Sequence, residues 1–371
     1  MIQVIVGLIG LAAGTMMFWS LPVPSRLSHR GEELPLLSIV IPARNEEGRI
    51  KPLLDSLQLQ YRHVRDFEVI VVDDHSTDRT ADIARAYGAE VLSPMPGRNG
   101  FGKSAACWQG AQHAKGEWLL FLDADTFFVE PDSLLRLLNA YQKEGARGIF
   151  SLQPYHIVGQ AYEQLSAIFN IIVIAGMNVF TPAGQRLRPA GSFGPCLLCN
   201  RDDYMLAGGH GLIQEAIMDD LALGQAFLAE GLPVRCFGGK SIICFRMYPE
   251  GLRTLVQGWC KSFALGSKAT HPLVMLMSIL WISGSFASLN SLVAASIGGA
   301  IFPILVSSAL YGLYTVQTLR FASRCGNFNG CIFAVHPLLF LFFIVLFAYS
   351  LFRIHIMRSV YWRGRRIKSD A

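Results

Sequence analysis

From Pro272 to Phe352 the chain carries no Asp or Glu and only two arginines, Arg320 and Arg324. Three apolar runs make up this stretch, roughly 272–293, 295–318 and 331–352, each near the ~20 residues needed to cross a ~30 Å hydrocarbon core. Gly299 and Pro303 interrupt the second run, which membrane helices tolerate. The N-terminus behaves alike: Val4 to Leu21 is uncharged, no basic residue precedes it, and Arg26 and Arg30 follow it. A secretory signal would have the reverse charge order, so a retained anchor is predicted, with the downstream chain on the cytoplasmic side. The expected location is the cell (plasma) membrane, crossed more than once. Three full C-terminal crossings would put the basic tail, Arg363-Gly-Arg-Arg-Ile-Lys368, on the far side, whereas its charge argues for the near side. A re-entrant or interfacial stretch would reconcile the two.

Between these ends the composition is ordinary. Over the whole chain only 16% of residues are charged and 52% are hydrophobic, against about 25% charged in soluble proteins, but residues 22–160 carry charge at normal density. The expected layout is an anchor (1–22), a catalytic domain (37–270), a C-terminal membrane region (271–353) and a basic tail (354–371). A net charge of +5 does not suggest nucleic acid. Basic residues instead flank the apolar runs, as expected beside anionic lipids. The eight cysteines form no disulfide-like framework, and Cys196-Leu-Leu-Cys199 lacks the second pair or nearby His of a zinc site. It reads as two small residues in a buried segment. The apolar run Leu165–Phe180 contains Asn170 and Asn178, which favours a helix lying along the membrane surface over a span.

From Leu37 the pattern becomes α/β. Ser38–Ile41, Phe67–Val72, Glu90–Leu92 and Glu117–Leu122 read as strands, alternating with helices that begin near Asn45, near Ser76 or Thr77 (as caps), and at Lys103. Such alternation implies a parallel sheet, with ligands bound beyond the carboxyl ends of its strands. Three polar clusters fall there: 43–47, 73–78 and 123–125. Asp123-x-Asp125 closes a hydrophobic strand, where unpaired acids would repel. Two carboxylates so placed suit Mg2+ or Mn2+ bridging the phosphates of a nucleotide. Asp74 can accept a hydrogen bond from a uracil N–H, and Lys103 can offset phosphate charge or hold the acidic cluster in place. Helix capping is the expected main role of Asp73, Ser76 and Asp78.

Pro42-Ala-Arg-Asn-Glu-Glu47, Val72-Asp-Asp-His-Ser-Thr-Asp78, Gly102-Lys-Ser104 and Phe121-Leu-Asp-Ala-Asp125 resemble, in order and spacing, glycosyltransferase family 2. The resemblance covers about residues 37–270 and implies a GT-A fold, to which the apolar runs add N- and C-terminal transmembrane helices. It also implies a UDP-sugar donor with a divalent metal. A narrower resemblance, to the 4,4'-diaponeurosporenoate glycosyltransferases of staphyloxanthin-type carotenoid synthesis, spans nearly the whole chain. It is carried by Ser151-Leu-Gln-Pro-Tyr-His156, Phe193-Gly-Pro195, Gly208-Gly-His210, Phe245-Arg-Met-Tyr248, Gly258-Trp-x-Lys261 and the tail Tyr361-Trp-Arg-Gly-Arg365. It implies transfer of glucose to the carboxylate of a C30 carotenoid acid that enters from the bilayer.

Carried over by position, Ala43, Arg44 and Glu46 would lie at the nucleotide, with Asp74 at the uracil, while Asp123 and Asp125 would hold the metal. Asp219-Asp220 matches the catalytic-base motif, and the choice between the two stays open. Trp259 and Lys261 would sit where related enzymes close over donor and acceptor; His156, His210 and Arg246 are candidates for the acceptor's charged end. His75 replaces a usual glycine, and His tolerates positive φ better than most residues. Other lipid acceptors (a polyprenyl phosphate, a diacylglycerol or a sphingolipid) would leave the donor motifs unchanged. A transporter with a degenerate transferase domain would need ionisable residues within its spans, and 272–319 holds none.

Overall fold

The computed structural model describes residues 1–25, 34–64, 66–93, 102–214, 216, 218–266, 269–355, 359–362 and 365–368. Arg26, Arg30, Arg358 and Arg363 lie outside them, as do the side chains of Lys261, Arg365, Arg366 and Lys368. The chain forms two compact units that interleave along the sequence. One, mostly helical, comprises Met1–Leu21, Ile157–Arg188 and Met247–Ala371; the other, α/β, comprises Pro22–His156 and Pro189–Arg246.

Helix α1 (Ile2–Met17) opens the helical unit. The α/β unit follows with β1 (Leu37–Ala43), α2 (Ile50–Gln60), β2 (Phe67–Asp73), α3 (Thr80–Ala86), β3 (Glu90–Leu92), α4 (Lys103–His113) and β4 (Trp118–Leu122). All four strands are parallel. Next come β5 (Thr126–Phe128), α5 (Ser133–Lys143), β6 (Ile149–Gln153) and β7 (Tyr155–His156). After α6 (Ala167–Gly176) of the helical unit, the α/β unit resumes with β8 (Cys196–Asn200), α7 (Arg201–Leu206), α8 (Gly209–Leu212), α9 (Asp219–Ala229), β9 (Val234–Gly238) and β10 (Ile243–Phe245). The main sheet runs β3-β2-β1-β4-β8-β6-β9, with β8 antiparallel to both neighbours, and β5-β10-β7 form a small second sheet.

Every residue of β4 and all of β1 except Pro42 are buried, as expected of central strands covered on both faces. Pro42 lies past Val40, where pairing with β4 has ended, so the missing N–H is tolerated. Two helix starts differ from the sequence reading. Helix α2 begins at Ile50, leaving Asn45–Glu47 in the preceding loop. Helix α3 begins at Thr80, and Ser76 and Thr77 do not cap it. They tie two loops together instead: Asn45 N–H donates to Ser76 Oγ (2.9 Å), and Thr77 N–H donates to Asn45 Oδ1 (2.8 Å). Cys196 and Cys199 are buried three apart on β8, so their side chains point to opposite faces. Burial pushes both thiols up, and neither redox nor zinc chemistry is served.

The helical unit continues with α10 (Leu252–Gly266), α11 (Pro272–Gly298), α12 (Ile301–Cys325) and α13 (His336–His355), and ends in the hairpin β11 (Ser359–Trp362)–β12 (Arg365–Lys368). Three helical segments, Pro272–Gly298, Ile301–Cys325 and Gly330–Arg353, are long and apolar enough to cross a membrane. Gly299 interrupts the apolar run 295–318, between α11 and α12. It ends α11 in the left-handed conformation, at φ +67°, and Pro303 sits in the first turn of α12, where its missing N–H costs no helical bond.

The N-terminal helix is shorter than the apolar run predicts. Its 16 residues span about 24 Å, because past Met17 the N–H groups of Trp19 and Ser20 turn to the Phe180 carbonyl. Gly7, Gly10 and Gly14, with Ala13 and Met17, form its buried face, and it packs along α11. The Tyr314 hydroxyl donates to the Gly7 carbonyl at 3.1 Å. Helix α6, only 10 residues long, cannot span a bilayer and is largely buried, packed against α12 and α13. Asn178, at φ +73°, organises its exit: its amide donates to the Arg188 carbonyl (3.1 Å) and accepts from His271 N–H (2.8 Å).

A Cβ at Gly10 would lie 2.1 Å from the Tyr314 hydroxyl, 2.7 Å from the Leu280 carbonyl oxygen and 3.0 Å from Gly284 Cα. Two of these neighbours are backbone and cannot give way. Gly10→Val should therefore destabilise the helical unit by about 1–3 kcal/mol, read as a lower Tm in detergent, whereas Ile9→Val, at an exposed position, should leave Tm within error.

Candidate active site

The carboxyl ends of β1, β2 and β4 lie at one edge of the sheet. The first two are linked there by the Asp74 N–H, which donates to the Ala43 carbonyl at 2.8 Å. Asp74 is buried, and its carboxylate is well partnered. Oδ2 accepts from the Gly102 N–H (3.1 Å) and lies 3.5 Å from the Arg44 guanidinium; Oδ1 lies 3.3 Å from His75 Nδ1. His75 adopts φ +59°, the left-handed conformation its replacement of glycine requires. Ala43 is buried, so only its backbone is available at this edge. Glu46 is also buried; its N–H donates to Thr80 Oγ1 (2.8 Å), and its carboxylate lies 3.7 Å from Arg49. It anchors the loop from within.

Asp123 and Asp125 sit in the tight turn between β4 and β5. The Asp123 N–H donates to the Pro195 carbonyl (3.0 Å), and the Asp123 carbonyl accepts the Thr126 hydroxyl (2.8 Å). The Arg246 N–H reaches the Asp125 carbonyl at 3.4 Å, which puts the residue after β10 beside this turn. Helix α9 brings the second acidic pair. Asp219 and Asp220 occupy its first turn, where the helix dipole favours negative charge. The Ser104 hydroxyl donates to Asp219 Oδ2 at 3.4 Å, whereas Asp220 meets Asp123 across a shared cation.

That junction is Lys103. Its ammonium lies 2.9 Å from Asp123 Oδ1 and 3.3 Å from Asp220 Oδ1. Gly102, at φ +106°, turns the chain so that one dipeptide gives its amide to Asp74 and its ammonium to Asp123 and Asp220. Burial would lower the Lys103 pKa, but Asp123, Asp220 and Asp219 hold it well above the ordinary range. Burial, with the adjacent Asp219 charge, pushes the Asp220 carboxyl up to about 7 against the pull of Lys103. Cys107, one turn along α4, is buried and its thiol is held protonated by that burial.

A glycine-rich loop makes room for this arrangement. A Cβ on Gly194 would fall 1.8 Å from the Asp220 carboxylate, and Gly191 and Gly224 let the loop and α9 meet backbone to backbone. The Ser192 hydroxyl fastens the contact on the Asp220 carbonyl (2.7 Å). Gly194 is a positioning residue that the sequence reading passed over, although Phe193-Gly-Pro195 marked the segment.

The other expected residues have these surroundings. His210 is a core residue: its Nδ1 lies 2.9 Å from the Tyr204 hydroxyl, its ring packs on Phe121, and burial lowers its pKa to about 4. That burial favours the neutral form of the ring. His156 is buried against Phe245. Trp259 belongs to the helical unit, where its indole N–H donates to Ser166 Oγ (3.0 Å) and its ring stacks on Phe169. The Lys261 side chain lies outside the described residues.

Among the described residues, no group of three or more His, Cys, Asp or Glu side chains could hold a metal ion. Asp123 and Asp125 supply hard oxygen donors but an incomplete shell. That set suits Mg2+ or Mn2+ held by one or two carboxylates, with phosphate oxygens and water completing the sphere. A cation already stands at Asp123 in the form of the Lys103 ammonium.

Residues 38–195 match the family described as Glycosyl transferase family 2. The 4,4'-diaponeurosporenoate glycosyltransferase of Staphylococcus aureus (strain USA300) is 41% identical over 332 residues, covering 89% of this chain and 88% of that protein. The chain belongs to glycosyltransferase family 2. The corresponding protein of strain MRSA252 is 40% identical over the same share. Among solved structures, the mannosyltransferase PcManGT from Pyrobaculum calidifontis, determined with GDP-Man and Mn2+, superposes with a TM-score of 0.52 at 17% identity. It covers 93% of this chain and 98% of its own, which establishes the GT-A fold. The enzyme is thus a glycosyltransferase built on a mostly parallel sheet, with apolar helices toward its C-terminus.

Adding one methyl group at Gly194 must displace Asp220. Gly194→Ala should leave the circular dichroism spectrum unchanged and lower glycosyl transfer no further than Asp220→Asn does, since the added methyl acts through the Asp220 carboxylate.

Proposed function

We propose that the enzyme transfers glucose from UDP-glucose, with inversion, to the carboxylate of a C30 carotenoid acid, giving a glucosyl ester. The observation that carries this reading is the 41% identity, over 89% of the chain, to a protein named for glycosylating 4,4'-diaponeurosporenoate. Helices long and apolar enough to cross a bilayer support a membrane-borne, lipophilic acceptor. On this reading the α/β unit is cytoplasmic, where nucleotide sugars are available.

In the proposed reaction an acceptor carboxylate oxygen attacks the anomeric carbon from the face opposite the nucleotide. The bond from that carbon to the phosphate oxygen breaks, and UDP leaves. A divalent ion held by Asp123 and Asp125 would neutralise the charge growing on the leaving diphosphate. Asp74, with Arg44 beside it, binds the base end of the donor, and Lys103 lies within reach of the phosphates. A carboxylate acceptor, with a pKa near ~4–5, is ionised at neutral pH and needs no base. Asp220, raised to about 7 by burial and Asp219, is then partly protonated and can donate a hydrogen bond to the incoming carboxylate.

The same raised carboxyl favours a second reading. A group near pH 7 is well matched to act as general base toward a lipid alcohol, such as a diacylglycerol or a sphingolipid. Rate against pH separates the two. A base must be deprotonated, so transfer to an alcohol should rise as pH climbs through about 7. A protonated donor is lost over the same interval, so transfer to a carboxylate should stay level or fall.

The direct test uses membranes containing the enzyme, labelled UDP-glucose, Mn2+ and a C30 carotenoid acid. An alkali-labile labelled carotenoid is expected, abolished by Asp125→Asn and reduced far less by Asp220→Asn. Equal loss from the two substitutions would count against a carboxylate acceptor. Label appearing in an endogenous lipid, with none in the carotenoid, would replace the acceptor assignment.

A further inference from the structure

We propose that Lys103 makes divalent-ion binding conditional on the nucleotide: its ammonium occupies the cation position at Asp123 and yields it only when the donor's diphosphate arrives. The inference rests on the nucleotide-sugar reading above and adds a role for this lysine that sequence position alone does not define.

Three observations converge. The ammonium is 2.9 Å from Asp123 Oδ1 and 3.3 Å from Asp220 Oδ1, so it touches one acid of the metal pair and one of the α9 pair. A dication bound to Asp123 at the ~2.1 Å of a Mg2+–oxygen bond would meet that positive charge at close range. Next, among the described residues no three His, Cys, Asp or Glu side chains are placed to hold a metal ion together, so the protein alone offers a bare ion too few donors to expel the ammonium. Finally, Lys103 stands on the first turn of α4, where the helix dipole disfavours a cation. Its position depends on the carboxylates around it.

A diphosphate changes all three conditions at once. It gives the ammonium another anion to bind, brings oxygen ligands for the metal, and uses the α4 N-terminus as phosphates commonly do. Lys103 then moves from carboxylate to phosphate while the ion takes its place at Asp123. Asp220 loses its ionic partner in the same step, so the acceptor-side acid is released only in the donor-loaded enzyme. The side chains of Lys103, Asp123 and Asp220 are 31%, 28% and 25% exposed, so the exchange opens no sealed core.

The test is Mn2+ binding, followed by electron paramagnetic resonance on the full chain in nanodiscs, alone and with UDP or GDP. Wild type should retain Mn2+ only when a nucleotide is present. Lys103→Gln should bind Mn2+ without nucleotide, on the order of tenfold to a hundredfold more tightly than wild type. Lys103→Arg, which keeps the charge, should restore the nucleotide requirement. Because Lys103→Gln leaves several acids uncompensated, the charge-balanced pair Lys103→Gln/Asp220→Asn serves as a second probe and should also bind free Mn2+. Equal nucleotide-free affinity in wild type and both uncharged variants would overturn the proposal while leaving the donor reading intact. Failure of wild type to take up Mn2+ with either nucleotide would overturn both.

Discussion

The site is organised around one ammonium. Lys103 draws Asp123, at the end of a central strand, and Asp220, at the start of α9, to within 3.3 Å of a single nitrogen. Without it, those acids and Asp219 would repel one another at an edge where the local dielectric gives little screening. Gly102 makes the placement possible, since its positive φ lets its amide serve Asp74 while the next side chain turns to the acids. Asp74, Asp123 and Asp220 are thereby all tied to one short piece of chain at the start of α4. On the proposed reaction, in which negative charge grows on a leaving phosphate, that arrangement would place compensating charge before any ligand binds.

The second constraint is space. α9 can carry Asp220 into the cluster only because Gly191, Gly194 and Gly224 lack side chains along its docking surface. The Ser192 hydroxyl on the Asp220 carbonyl then fixes the height of the helix. Such contacts add little to stability individually, yet they settle whether a carboxylate is in register with Asp123. A glycine can therefore be as decisive for chemistry as the acid it faces.

Much of the α/β half was legible in the sequence. Apolar, β-branched strands ending in acidic clusters carry a local signal, and β1 to β4 fall where that signal put them. The acids at their ends come together because parallel strands finish at one edge. What could not be read depends on partners distant in the chain. Ser76 and Thr77 look like caps, but Asn45 claims them; His210 looks available, but Tyr204 and Phe121 enclose it. The apolar run to Leu21 looks wholly helical, but the Phe180 carbonyl captures its last N–H groups. Gly194 is silent in a sequence, because its role is the room it leaves for a residue 26 positions on. Nor does any local pattern reveal that Ile157–Arg188 leaves the α/β unit to fold with the helices.

The glycine face of α1 has a consequence for how the chain is made. Its hydrogen-bond partner Tyr314 lies 307 residues downstream of Gly7. Synthesis at about 5–20 residues per second leaves α1 without that partner for many seconds after it emerges. The last residue of the α/β unit, Arg246, is translated well before Tyr314. Assembly of the helical unit is accordingly a late event in the life of the nascent chain, and one that a premature stop anywhere before α12 forestalls. Helix α1 is thus translated long before it can find its place.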